Sequence, residues 1–170
     1  MYSEYFKRID KTKLYPAFAL KLEQLIENCL LRGVAYWVLS GLRTWDEQDV
    51  LYSQGRDKAG KTKDKTKIVT NAKGGQSNHN FSIAADFCKD KDGKIETGLQ
   101  PDWEVKAYQI LAEEAQKLGL ETGMYWKFVD PPHIQLNLTK NGLTFDSLRT
   151  EYVKNKDMAD VWKLLDKYTW

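Results

Sequence analysis

The chain has 170 residues, the size of one domain with its own core. Apolar residues make up 42% and aromatics 12%, which excludes intrinsic disorder. Lys and Arg number 26 against 24 Asp and Glu, a net charge of +2 that gives no bulk field for nucleic acid. Two distant cysteines, Cys29 and Cys88, make neither a disulfide framework nor a CxxC metal motif, and only two histidines occur, His79 and His133.

The first eight residues are charged and carry no apolar signal region, and the longest mostly apolar stretch, 33–42, is well short of the ~20 residues of a membrane span. The expectation is a chain made soluble in the cytoplasm without a signal peptide or membrane anchor. Behind Pro16, Phe18, Leu22, Leu25 and Cys29 recur at helical spacing up to Gly33, which puts Cys29 in the core. Val34–Leu39 has the composition of a buried strand. Thr44 and Glu47 have capping-box spacing, so a second helix is expected to run to about Gly55, with Arg43 at the strand-to-helix junction. Residues 56–73 form a basic, Thr-rich loop.

Ile83–Cys88 is expected as a strand, followed by a turn at 90–93. Asp102 is a candidate N-cap for a helix carrying Trp103, Ala107, Ile110, Leu111, Ala115 and Leu118, closed by Gly119. Thr122–Trp126 and Ile134–Leu138 have strand character, and two helices follow around Phe145, Leu148, Tyr152 and Val161, Leu164, Tyr168. The order of elements predicts an α+β fold: a single compact domain with a small, mostly antiparallel sheet flanked by helices.

Each histidine lies near an acid: His79 with Asp86 seven residues on, and His133 with Asp130 across Pro131-Pro132. Two imidazoles and a carboxylate suit a catalytic zinc with an open fourth position, and the two prolines stiffen the backbone between Asp130 and His133. Spacing alone leaves a second reading open, of two hydrogen-bonded histidines that happen to have acids nearby. Cys88 falls two residues beyond Asp86 and is read as a core thiol rather than a fourth ligand.

Ser77-x-His79-x6-Asp86, with Ala84 two before the Asp, resembles the SxHxxGxAxD pattern of the zinc peptidases that include D-alanyl-D-alanine dipeptidases and carboxypeptidases and L-alanyl-D-glutamate endolysins. Asp130-x-x-His133 is similar to that family's second motif. Ser40-Gly41-Leu42-Arg43-Thr44, with Gln48, Leu51, Tyr52, Gln54, Gly55 and Arg56, resembles its SGxRS and QGR block, and Val69–His79 resembles the endolysin branch. One departure is Ser82, which stands where the pattern has Gly; a left-handed backbone there would cost stability.

The resemblance implies one zinc peptidase domain over 1–170, with a motif core at about 40–135 and helices at 144–169 packed on it. It implies that His79, Asp86 and His133 hold zinc, that Asp130 is the general base, and that Arg43 stabilises the oxyanion or holds a substrate carboxylate. Ser77 and Gln48 are candidate substrate contacts, and Trp126 is expected to pack beside the site. The implied substrate is the bacterial peptidoglycan stem peptide, cut between L-Ala and D-Glu by a monomeric, endolysin-like enzyme that reaches the wall after release. The alternatives are a D-Ala-D-Ala carboxypeptidase or dipeptidase and a non-catalytic wall-binding module.

Overall fold

In a computed structural model, which describes residues 2–170, the first long element is α1 (Pro16–Leu31). Pro16 sits in its first turn, where a missing N–H costs nothing, and Gly33 ends it at φ +77°. Phe18, Leu22, Leu25 and Cys29 are fully buried along one face, each large side chain contributing about 1.5–3 kcal/mol of hydrophobic stabilisation. The chain then enters β1 (Tyr36–Ser40) and turns into α2 (Trp45–Ser53), where Thr44 and Glu47 form the expected capping box. Arg43 lies between these two elements.

The sheet is antiparallel throughout and has five strands: β1, β2 (Ala84–Asp90), β3 (Pro101–Asp102), β4 (Leu120–Thr122) and β5 (His133–Leu136). Its order is β1-β2-β5-β4, with β3 joined to the far end of β2. In the β2–β5 ladder Asp86 stands directly opposite His133. α3 (Gln109–Lys117) packs against α1 and β4, while α4 (Phe145–Asn155) and α5 (Met158–Leu165) pack on each other. The fold class is therefore α+β, as the element order predicts.

Two boundaries differ from expectation. Asp102 does not cap a long helix. It pairs through its backbone with Lys89 of β2, its carboxylate meets Lys89 Nζ at 2.9 Å, and α3 starts seven residues later. Trp103 is consequently exposed instead of lying on a buried face. Thr122 is the last residue of β4, not the first of a strand, because its hydroxyl accepts from Met124 N at 3.2 Å and starts a 3-10 turn over Gly123–Tyr125.

Candidate metal centre

His79 is carried on a 3-10 turn, Asn78–Phe81, between the basic loop and β2. Ser77 caps that turn by accepting from His79 N at 3.3 Å, and Asn80 closes the box by accepting from Ser77 N at 3.3 Å. The Asn80 amide also donates to Arg43 O at 2.9 Å, while Arg43 N donates to His79 O at 3.1 Å. The histidine turn and the arginine junction are thus stitched together. Tyr152 of α4 supports the turn from behind, its ring packed edge-on to Phe81 and tilted against Trp45. Helix α4 accordingly backs the site.

Three side chains converge. His79 Nε2 lies 3.3 Å and His133 Nδ1 3.1 Å from the same oxygen, Asp86 Oδ1. The remaining ring nitrogens are taken by fixed acceptors: His79 Nδ1 lies 2.7 Å from Gly41 O, and His133 Nε2 2.9 Å from Gln135 Oε1. Each acceptor calls for a proton on the nitrogen it faces, which leaves the inward nitrogen of each ring with a free lone pair. One donor atom from each of the three residues falls within 4.8 Å of the others, and both histidines are buried. Cys88 is not in this group; its thiol is buried and turned to Lys89 O.

Burial would raise the Asp86 pKa, but the two imidazoles outweigh it and hold the carboxyl well below its ordinary value. Arg43 approaches from the other side, with a guanidinium nitrogen 3.5 Å from Asp86 Oδ2. Asp130 lies at the edge of the same cavity, partly open to solvent, and the partial enclosure raises its carboxyl pKa from the ordinary value. That is the direction expected of a group that exchanges protons near neutrality.

The cavity has a volume of about 460 Å³ and is lined by Arg43, Ser77, His79, Asp86, Trp126, Asp130 and His133, with Val69, Phe145 and others at its walls. Gln48 is not on that surface. It is buried, its Oε1 accepts from Arg43 at 2.9 Å, and its amide donates to Ala72 O at 2.8 Å, so it ties Arg43 to the basic loop. The loop is pinned in turn by Arg56, which donates to Thr70 O and Asn71 Oδ1 and stacks on Tyr52 at 4.0 Å.

Sequence reasoning missed two supports. Asn80 could have been found from its capping-box spacing to Ser77. The other is a chain behind His133. Gln135 donates to Glu121 Oε2 at 2.9 Å, Trp126 Nε1 donates to Glu121 Oε1 at 2.8 Å, and the Trp126 ring lies 5.0 Å from that of His133. It spans β4, β5 and the turn between them, so no local pattern signals it.

Two buried imidazoles and a carboxylate with their lone pairs turned to one point, beside a polar cavity, form a group that could hold a metal ion, the arrangement that metal-dependent hydrolases use. Residues 11–130 match the family model described as "VanY: D-alanyl-D-alanine carboxypeptidase", and the chain belongs to that family. It is 35% identical over 128 residues to the peptidoglycan L-alanyl-D-glutamate endopeptidase CwlK of Bacillus subtilis (strain 168), covering 72% of this chain and 73% of the relative. The crystal structure of the Serratia marcescens L-Ala D-Glu endopeptidase ChiX matches with a TM-score of 0.50 at 23% identity, covering 78% of this chain and 87% of that one, a likeness of fold. The family match ends at Asp130, and His133 joins the group through its pairing with Asp86.

Proposed function

We propose that the protein is a zinc peptidase that hydrolyses the bond between L-Ala and D-Glu in the peptidoglycan stem peptide. The observation that carries this reading is the convergence of His79 Nε2, His133 Nδ1 and Asp86, with both outward ring nitrogens already occupied. Two nitrogen donors and one oxygen donor fit zinc with a position left open, and the kinship with CwlK supports the choice of bond. A zinc ion held there would supply Lewis-acid polarisation and make a water acidic near neutrality.

The chain's own residues supply the rest. Asp130, with its raised pKa, takes a proton as water adds to the scissile carbonyl and returns it to the departing nitrogen, so the C–N bond breaks to a carboxylic acid and an amine. Arg43, fixed by Gln48 and Ser40, stabilises the negative oxygen that develops. Ser77 holds the His79 turn and borders the substrate cavity, while Gln48 acts on Arg43 and the loop rather than on substrate. All of these groups come from one chain, so the proposed site needs no residue from a second copy. The QGR block and the Val69–His79 segment support an endolysin-like role at the cell wall. Among the described residues no helix is long and apolar enough to cross a membrane.

The test is mass spectrometry of purified peptidoglycan after digestion. New L-Ala carboxyl termini and D-Glu amino termini are expected. Release of D-Ala or D-Ala-D-Ala alone overturns the reading in favour of a carboxypeptidase or dipeptidase, the activity for which the family model is named. Binding to walls without any cleavage overturns it in favour of a binding module.

A further inference from the structure

A second cavity, of about 570 Å³, abuts the first: Arg43 and Leu51 line both. Its size suits one or two peptide residues. Its outer wall comes from the amino-terminal segment, with Arg8, Ile9, Asp10 and Lys13, and Ile9 packs close to Gly41 next to Arg43. The match to the family model begins at residue 11, so Arg8 and Ile9 lie outside it.

The charges of this cavity are unevenly committed. Asp10 turns its carboxylate to its own backbone, accepting from Thr12 N at 3.0 Å and Thr12 Oγ1 at 2.6 Å. Glu47 does the same in its capping box, accepting from Thr44 N at 2.8 Å and Thr44 Oγ1 at 2.9 Å. Arg8 and Lys13, by contrast, are exposed and form no ion pair among the described residues. Asp10 and Glu47 stay charged, and Lys13 acts on both without forming an ion pair. The cavity's three cations, Arg8, Lys13 and Arg43, nonetheless outnumber these two carboxylates beside the apolar side chains of Ile9, Leu42 and Val50.

We propose that this second cavity binds the leaving-group half of the substrate, an acidic peptide whose carboxylates pair with Arg8 and Lys13. The inference rests on the stem-peptide reading above. In such a substrate the two sides of the scissile bond differ in charge. The acyl side carries alanine on an uncharged lactyl-sugar. On the other side the glutamate continues through its side-chain carboxyl, which leaves its α-carboxylate free, and in walls of the diaminopimelate type the next residue adds a further carboxylate. Only the second half offers anions to two cations, and the apolar side chains suit the methylenes between them.

The test reads binding without turnover. The probes are γ-D-glutamyl-diaminopimelate and its fully amidated counterpart, titrated by calorimetry into the parent protein and Arg8→Gln/Lys13→Gln. Both side chains are exposed and form no hydrogen bond among those described, so the double variant is expected to fold. The parent should prefer the acidic peptide, and the double substitution should weaken that peptide about tenfold, erasing the preference and its salt dependence. Equal affinity of parent and variant for the acidic peptide, equal losses on both probes, or no binding by the parent overturns the proposal. Digestion of walls by the parent reports separately on the peptidase reading, so the two can fail independently.

Discussion

Gly123 lies directly against the backbone of Asp130. Asp130 N donates to Gly123 O at 2.9 Å, and a Cβ on Gly123 would stand 2.3 Å from Asp130 O. Because that neighbour is backbone, it cannot swing aside, and Gly123→Ala must push Asp130 away. Displacing a proton-transfer group by about 1 Å costs on the order of 100-fold. We expect kcat/KM for stem-peptide cleavage to fall by roughly that factor. A Gly123→Ala variant that cleaves at the parental rate would falsify the positioning role.

Holding the metal and moving the proton are separable. Asp130→Asn keeps size and hydrogen-bonding reach but removes the basic carboxylate, so activity should drop about 10²- to 10⁴-fold with metal retained. Asp86→Asn removes the negative charge of the carboxylate whose oxygen both imidazoles face, and metal should be lost with activity. Metal analysis and wall-lysis rates on the same preparations check the pair. Loss of metal from Asp130→Asn would move that residue into the ligand set.

Glu121 touches neither substrate nor metal ligand, yet two routes lead from it to His133, one through Gln135 and one through the Trp126 ring. Glu121→Ala should loosen the imidazole and weaken metal affinity about 10- to 100-fold, the usual effect of losing such a supporting partner. Competition with a chromophoric chelator measures this without a turnover assay. Unchanged affinity would make the chain a feature of stability alone.

Burial lowers the pKa of His133, but hydrogen bonding and charge from Asp86 more than offset it, with smaller contributions from Gln135 and Asp130, and the net shift is upward from 6.5. In metal-stripped protein the folded state therefore binds this proton more tightly than the unfolded chain. That stabilisation is complete below the unfolded value of about 6.5 and is lost as pH rises through the folded value. Metal needs the neutral ring, so its contribution runs the other way. Relative to His133→Gln, the Tm of stripped protein should fall as pH rises above about 6.5. The Tm gained on adding zinc should grow over the same rise in pH. A stripped protein whose Tm climbs relative to that variant contradicts the assignment.

Ser82 occupies the left-handed region at φ +65°, fully buried, with its hydroxyl unpartnered. The motif comparison anticipates glycine here, and the backbone shows why: a side chain in this conformation costs about 1–2 kcal/mol. Ser82→Gly also removes a buried hydroxyl without a partner, but gives the unfolded chain more freedom. A net stabilisation of about 1 kcal/mol is expected, a rise in Tm of about 2–4 °C at this chain length. A fall in Tm would mean that the hydroxyl has a bonding partner in solution.

Legibility followed the range of the interactions. Pro16 and the Thr44–Glu47 box act within one turn of chain, and each formed as its local chemistry predicts. Asp102 misled because the same carboxylate that can cap a helix instead serves Lys89, an ion pair that exists only once β2 and β3 are side by side. Thr122–Trp126 has the composition of a strand, but the Thr122 hydroxyl and the Trp126–Glu121 bond curl it into a turn. His79, Asp86 and His133 were legible as residue types, whereas the choice of ring nitrogen needed Gly41 and Gln135, which are distant or on the neighbouring strand position.

With His79, Asp86 and His133 as the proposed ligands, the pairing of Asp86 with His133 across the ladder would make a bound metal a witness to strand register. Sliding β5 by one residue would turn His133 to the opposite face of the sheet and bring Ile134 or Pro132 opposite Asp86. No cation could then be gripped by all three side chains. Molecules that refold with the wrong alignment would emerge empty, while correctly aligned ones are selectively drawn off by the ion. Stoichiometric loading of a refolded preparation therefore counts the molecules in which the two strands found their proper partners.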